Sequence, residues 1–119
     1  MAERVVLVVD DEAAQRTVLA GFLRKRQLEA LTAGGVDEAV QLVSARTVDL
    51  VLTDLRLPDG SGLDLLKRVQ EFSTPPAVVL VTGQGDEQIA VTALKAGAAD
   101  YLVKEGNYLN RLPPAINNA

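Results

Sequence analysis

At 119 residues, 48% of them hydrophobic, the chain is long enough for one packed core but not two, and too apolar for intrinsic disorder. Its formal net charge of −4 opposes a surface for nucleic acid or anionic lipid, so neither is expected as a direct partner. With no Cys and no His, disulfides, thiol catalysis, imidazole bases and phosphohistidine are excluded, which leaves carboxylates, hydroxyls, Lys and Arg for any chemistry.

The apolar run Val5–Val9 is too short to span a bilayer and lacks a basic leader. It reads as a strand buried on both faces, and a cytoplasmic location is expected. Asp10 and Asp11 follow it. From Glu12 to about Lys25, helical spacing places Val18, Leu19, Phe22 and Leu23 on one side. Leu28–Thr32 is a weaker strand, and Val36, Val40 and Val43 repeat as on a helix. Leu50–Leu52 is a second unbroken apolar run, leading to Asp54. Pro58 and Asp59–Gly62 predict a turn into a helix capped by Ser61, with Leu66 and Val69 on its inner side. Gly60 and Gly62 are not a phosphate-cradling loop, since no GK[ST] ending follows; Pro58 and Asp59–Gly62 together shape the loop beside Asp54.

Ala77–Val81 is a third buried strand and delivers Thr82-Gly83. Ile89, Ala93 and Leu94 mark a further helix, with Gly97 as its C-terminal cap. Tyr101–Val103 is a short last strand ending at Lys104. Pro113-Pro114 can open a helix, but only Ala115–Ala119 follow, little more than one turn and marginal alone. The ending therefore reads as cut from a longer, multidomain protein. Five β–α units in succession imply a doubly wound α/β domain over 1–119, a parallel sheet with right-handed crossovers and helices on both faces.

In such a sheet, ligands bind outside the carboxyl ends of the strands, where the strand order reverses. Those ends carry Asp10, Asp11, Asp54, Thr82 and Lys104. Taken singly, each has a plain reading. Asp11 could cap the first helix, Asp54 could be a polar strand end, Thr82 could belong to a turn, and Lys104 could be a solvated charge. Together they are different, because three carboxylates in one crevice repel one another and call for a cation. A hard divalent ion such as Mg²⁺ suits an all-oxygen set, with Asp54 both ligand and candidate nucleophile toward phosphorus. Lys104 and the Thr82 hydroxyl could then meet phosphoryl oxygens.

The segments Val-Val-Asp10-Asp11-Glu, Leu-Thr-Asp54-Leu-Arg-Leu-Pro58-Asp-Gly60-Ser-Gly62, Val-Thr82-Gly and Gly97-Ala-Ala-Asp-Tyr101-Leu-Val-Lys104 resemble the receiver domains of two-component response regulators, from about Arg4 to Leu112. The resemblance implies a flavodoxin-like five-stranded sheet in the order 2-1-3-4-5. It implies a phosphorylation-activated switch rather than an enzyme with turnover, in which Asp54 takes a phosphoryl group from a sensor histidine kinase or a phosphotransfer protein. Asp10, Asp11, Asp54 and the backbone carbonyl of Arg56 would hold Mg²⁺, with Mn²⁺ as a substitute. Thr82 would turn toward the phosphoryl while Tyr101 packs inward behind it. The plain alternative for Tyr101 is a half-buried strand aromatic with a wet hydroxyl. A homodimer is compatible with this reading.

The chain departs from the family at Glu105, where most receivers carry Pro after a cis bond. A cis bond to a non-proline costs about 3 kcal/mol, so Lys104–Glu105 is expected to be trans or locally strained. Arg56 and Gln84 flank the expected phosphoryl and would tune its lifetime, Gln84 by orienting the attacking water; both could equally be solvated surface residues. Three competing classes fit less well. A phosphohydrolase of the haloacid dehalogenase type needs a first-strand nucleophile and an Asp two residues after it, where Arg56 stands. A non-phosphorylated interaction module would not need Asp11, Asp54, Thr82 and Lys104 together. A flavin carrier is opposed by 3% aromatics, no Trp and acidic residues where a phosphate would sit.

Overall fold

A computed structural model describes residues 4–83 and 87–119. The chain runs through β1 (Val5–Val9), α1 (Ala13–Arg24), β2 (Glu29–Ala33), α2 (Val36–Ala45) and β3 (Leu50–Thr53). A two-residue ribbon follows, β4 (Arg56–Leu57) and β5 (Gly60–Ser61), then α3 (Gly62–Val69), β6 (Ala77–Thr82), α4 (Glu87–Lys95) and β7 (Asp100–Val103). A 3₁₀ turn at Tyr108–Arg111 leads into α5 (Leu112–Asn118). The five long strands are all parallel and ordered β2-β1-β3-β6-β7, the expected 2-1-3-4-5.

Alternation along the strands divides the core into two layers. Leu7, Val9, Val51, Val78 and Leu80 face α2, α3 and α4, meeting Ala39, Leu65, Leu66, Val69 and Ala93. Val6, Val8, Leu52, Val79 and Val81 face α1 and α5, meeting Leu19, Leu23, Leu112 and Ile116. Strands covered on both sides need continuous rather than alternating hydrophobicity, which the Val-rich runs supply.

The helical faces turn slightly from their predicted directions. Val18 is 50% exposed and Leu94 49% exposed, so neither belongs to the core assigned to it. The small residues Ala20 and Ala39 are buried instead, with Ala39 deeper than Val40. Small side chains let a helix lie close to the sheet, and the larger neighbours are then rotated to its flank.

β2 begins one residue later than predicted, because Leu28 closes α1. Its N–H donates to the Leu23 carbonyl (3.2 Å), and the Gln27 N–H donates to the Arg24 carbonyl (3.0 Å). This is a Schellman ending, with Gln27 left-handed at φ 63°. α4 ends the same way through Gly97 (φ 109°), the residue predicted to cap it, with Ala98 N–H on Ala93 and Gly97 N–H on Leu94. A side chain in that region costs about 1–2 kcal/mol, part of which glycine returns through a more flexible unfolded chain. Gln27→Gly is therefore expected to stabilise the fold by about 0.5 kcal/mol, read as a higher urea midpoint. A lower midpoint would mean that the Gln27 side chain supplies a contact worth more than the backbone strain.

The tail forms more helix than its sequence alone supports. α5 spans Leu112–Asn118, with its prolines in the first turn. Seven residues are too few for a stable isolated helix. Leu112 and Ile116 are buried under the sheet, at about 2 kcal/mol each, and Arg4 Nη1 donates to the Ile116 carbonyl at 3.1 Å.

Candidate functional site

The strand order reverses between β1 and β3, and main-chain bonds bring the ends of the strands level. The Asp10 N–H donates to the Ala33 carbonyl (3.1 Å), Asp54 N–H to Val9 (2.9 Å) and Lys104 N–H to Thr82 (2.7 Å). Each ladder thus continues one step past its strand, and the side chains of Asp10, Asp54 and Lys104 emerge beside one another.

Lys104 Nζ donates to Asp10 Oδ2 at 2.9 Å and to Asp54 Oδ2 at 3.2 Å. Asp10 is only 2% exposed; its other oxygen accepts the Glu12 N–H at 2.9 Å. Asp54 Oδ1 has a long contact of 3.4 Å with the Arg56 N–H. Burial alone would push the Lys104 ammonium down, but the Asp10 hydrogen bond and the charges of Asp54 and Asp10 outweigh it and hold its pKa above the ordinary 10.5. Lys104 is therefore a fixed cation across the neutral range.

One carboxylate oxygen from each of Asp10, Asp11 and Asp54 lies within 4.8 Å of the others. Against a single ammonium, three carboxylates leave an excess of negative charge. All the donors are hard oxygens, and a small divalent cation that keeps some of its water fits such a set. Asp11 does not take the plain role open to it: the N-cap of α1 is Glu12, and no capping bond from Asp11 is found among the described residues.

Thr82 is buried at the end of β6, paired in register with Val103. Tyr101 is half-buried against the α4-side core. Alternation along β6 and β7 puts both on the same face of the sheet. Arg56 lies exposed in β4, and Gln84 falls outside the described residues. The Lys104–Glu105 bond is trans, as expected, since no cis peptide occurs among the described residues. Arg111 brackets this loop, donating to the carbonyls of Val103 (2.7 Å) and Glu105 (3.2 Å) on either side of Lys104.

Three supports of the site go beyond what the sequence reading assigned. Arg16 Nη1 donates to the Asp10 carbonyl at 2.6 Å, fixing the main chain of that ligand candidate. Gly62 packs against the Asp54 carbonyl, where a Cβ would come within 2.6 Å. Asp59, read as part of the turn that shapes the loop beside Asp54, accepts the Val36 and Asp37 N–H groups and caps α2 from outside. Its one sequence signal is Gly34-Gly35 before α2, a helix start with no capping side chain of its own. The predicted Ser61 cap is present as a full capping box with Asp64. A cleft of about 640 Å³ between Val43–Asp49 and Phe72–Pro76 lies at the opposite ends of the strands, away from the carboxylates.

The sequence model of the response regulator receiver domain matches residues 6–116, nearly the whole chain. The chain belongs to that family. This receiver is 42% identical over 104 residues to the response regulator protein PilR of Pseudomonas aeruginosa, covering 87% of this chain and 23% of PilR. It thus spans about a quarter of the length of that relative. A crystal structure of a response regulator receiver protein from Pseudomonas putida superposes with a TM-score of 0.90 at 32% identity, covering 100% of this chain and 99% of that one. The beryllofluoride-activated NtrC4 receiver domain dimer superposes at 0.86 with 29% identity, covering 96% of this receiver and 94% of that chain. No helix among the described residues is long and apolar enough to cross a membrane.

Proposed function

We propose that this receiver is a Mg²⁺-dependent phosphoacceptor switch in which Asp54 takes a phosphoryl group from a phosphohistidine of a sensor kinase or phosphotransfer protein. The observation that carries the reading is Lys104 Nζ bridging Asp10 and Asp54, with an Asp11 oxygen within 4.8 Å of both carboxylates. Asp10, Asp11, Asp54 and the Arg56 carbonyl would hold the Mg²⁺, which when bound neutralises charge on the phosphoryl oxygens.

One oxygen of Asp54 attacks phosphorus, an O–P bond forms as the donor's P–N bond breaks, and the imidazole leaves with the electron pair. Lys104 is already charged and in place, so it can meet a phosphoryl oxygen without reorganising. Thr82, behind Asp54 on the next strand, donates its hydroxyl to another. Tyr101, on the same face as Thr82, then follows it inward and carries the change to the α4 side of the sheet. Gln84 orients the water that later removes the phosphoryl. The domain works in the cytoplasm as one part of a longer regulator, and phosphorylation favours pairing with a second copy, as the NtrC4 dimer suggests.

Mass spectrometry after treatment with acetyl phosphate and Mg²⁺ tests this. The parent is expected to gain one phosphoryl group, with none on Asp54→Asn. A gain that survives the substitution moves the acceptor elsewhere. No gain on the parent favours the non-phosphorylated interaction module.

A further inference from the structure

Asp59 stands at the tip of the β4–β5 ribbon, and its carboxylate reaches out of the ribbon altogether. Oδ1 accepts the Val36 N–H at 2.7 Å and Oδ2 accepts the Asp37 N–H at 3.0 Å. These are two of the N–H groups that a helix start leaves without an internal partner, and α2 has only Gly35 at its own cap. The fit is close: a Cβ on Gly35 would come within 2.6 Å of Asp59 Oδ1. Gly60, at φ 155°, makes the turn that follows.

The base of the same loop is pinned as well. Gly62 N–H donates to the Leu55 carbonyl at 2.8 Å, immediately after Asp54. Between these anchors lie Arg56 and Leu57, paired with Ser61 and Gly60. α2 is tied in turn to α3 by Arg68 Nη1 and Asp37 Oδ1 at 2.8 Å. Charge-assisted bonds to both oxygens of one carboxylate fix orientation as well as distance. The Asp37 and Val36 N–H groups also hold the Asp59 carboxyl below the usual carboxylate range, so the clamp is charged at neutral pH.

We propose that Asp59 is a positioning residue for the metal site: by capping α2 from outside, it sets the β4–β5 ribbon that starts at Arg56, two residues after Asp54, and so sets Mg²⁺ affinity. The inference rests on the reading of Asp10, Asp11, Asp54 and the Arg56 carbonyl as Mg²⁺ ligands. Asp59 itself touches neither the metal nor the phosphoryl group. Because coupling between two sites is reciprocal, Mg²⁺ should in turn steady the start of α2.

Calorimetric Mg²⁺ titration of the whole chain tests this. Asp59→Ala is expected to weaken binding about tenfold, no more than the lower end for losing a group bonded directly to a metal ligand, because Asp59 acts through the ribbon. Asp59→Asn keeps one well-placed acceptor and should fall between the two; it also serves if the Ala variant does not fold. Gln41→Gly loosens the exposed middle of α2 without touching the cap, and should bind Mg²⁺ like the parent. In the parent, Mg²⁺ should slow hydrogen exchange at the Val36 and Asp37 amides. Unchanged affinity in Asp59→Ala overturns the proposal, as does an equal loss in Gln41→Gly, which would mean general loosening. If Asp11→Ala binds Mg²⁺ as well as the parent, it is the underlying metal-site reading that fails.

Discussion

Lys104→Met is expected to destabilise the metal-free domain by about 3 kcal/mol, the lower end for breaking a buried ion pair by removing one partner. The substitution keeps an apolar stem of similar length and removes only the ammonium, so the loss reports charge rather than packing. Asp10 has almost no access to water and keeps one remaining bond, from the Glu12 N–H, while Asp54 loses the Nζ contact at 3.2 Å. The variant thus leaves three carboxylates with no cation between them. Mg²⁺ should then stabilise the variant more than the parent, since it restores a charge that the parent already has; a ligand at a hundred times its dissociation constant contributes about 2.7 kcal/mol. The pH dependence has a definite sign. Lys104 has a raised folded pKa, so its contribution is complete below the ordinary 10.5 and disappears as pH rises through the folded value. Urea melts of both proteins with and without Mg²⁺, at pH 7 and toward pH 11, measure all three effects. A loss under about 1 kcal/mol without metal would mean that the bridge is no stronger than a surface pair.

The sheet was readable because its strands are buried on both faces and so appear as unbroken runs such as Val5–Val9 and Ala77–Val81. Once the strands are placed, topology alone brings Asp10, Asp54 and Lys104 to one crevice, and the motif resemblance agrees with it. Helix faces were less legible. A helix lies on a sheet by its smallest as well as its largest residues, and Ala20 and Ala39 gave no signal against Val18 and Val40. The seven-residue α5 depends on contacts with residues a hundred positions away, including Arg4, which local propensity does not register. The supports of the site were hidden for the same reason. Asp59 caps a helix 22 residues earlier in sequence, and Arg16 acts through the main chain of Asp10. Their side chains are ordinary in composition; only their destination is informative.

Gly62→Ala is expected to cost at least about 3 kcal/mol, the upper end for forcing extra volume into a packed core. By helix propensity alone the sign would be opposite, because Ala in place of Gly inside a helix is better by about 0.8 kcal/mol. What reverses it is space. A Cβ on Gly62 would lie 2.5 Å from Leu80 Cδ2 and 2.6 Å from the Asp54 carbonyl oxygen. Leu80 is fully buried on the central sheet, and the Asp54 main chain is tied to Val9, so neither neighbour can retreat cheaply. Relief would have to come from shifting the start of α3 or the main chain of Asp54 itself. Phosphoryl uptake by the folded protein should fall as well, because an acceptor misplaced by about 1 Å loses on the order of a hundredfold in rate. Gly21→Ala is the matched control: Gly21 lies in α1 with nothing within 4 Å of an added Cβ, and that variant should gain up to about 0.8 kcal/mol. If Gly62→Ala melted like Gly21→Ala and took up phosphoryl at the parent rate, the close approach of α3 to Asp54 would have no part in holding the acceptor in place.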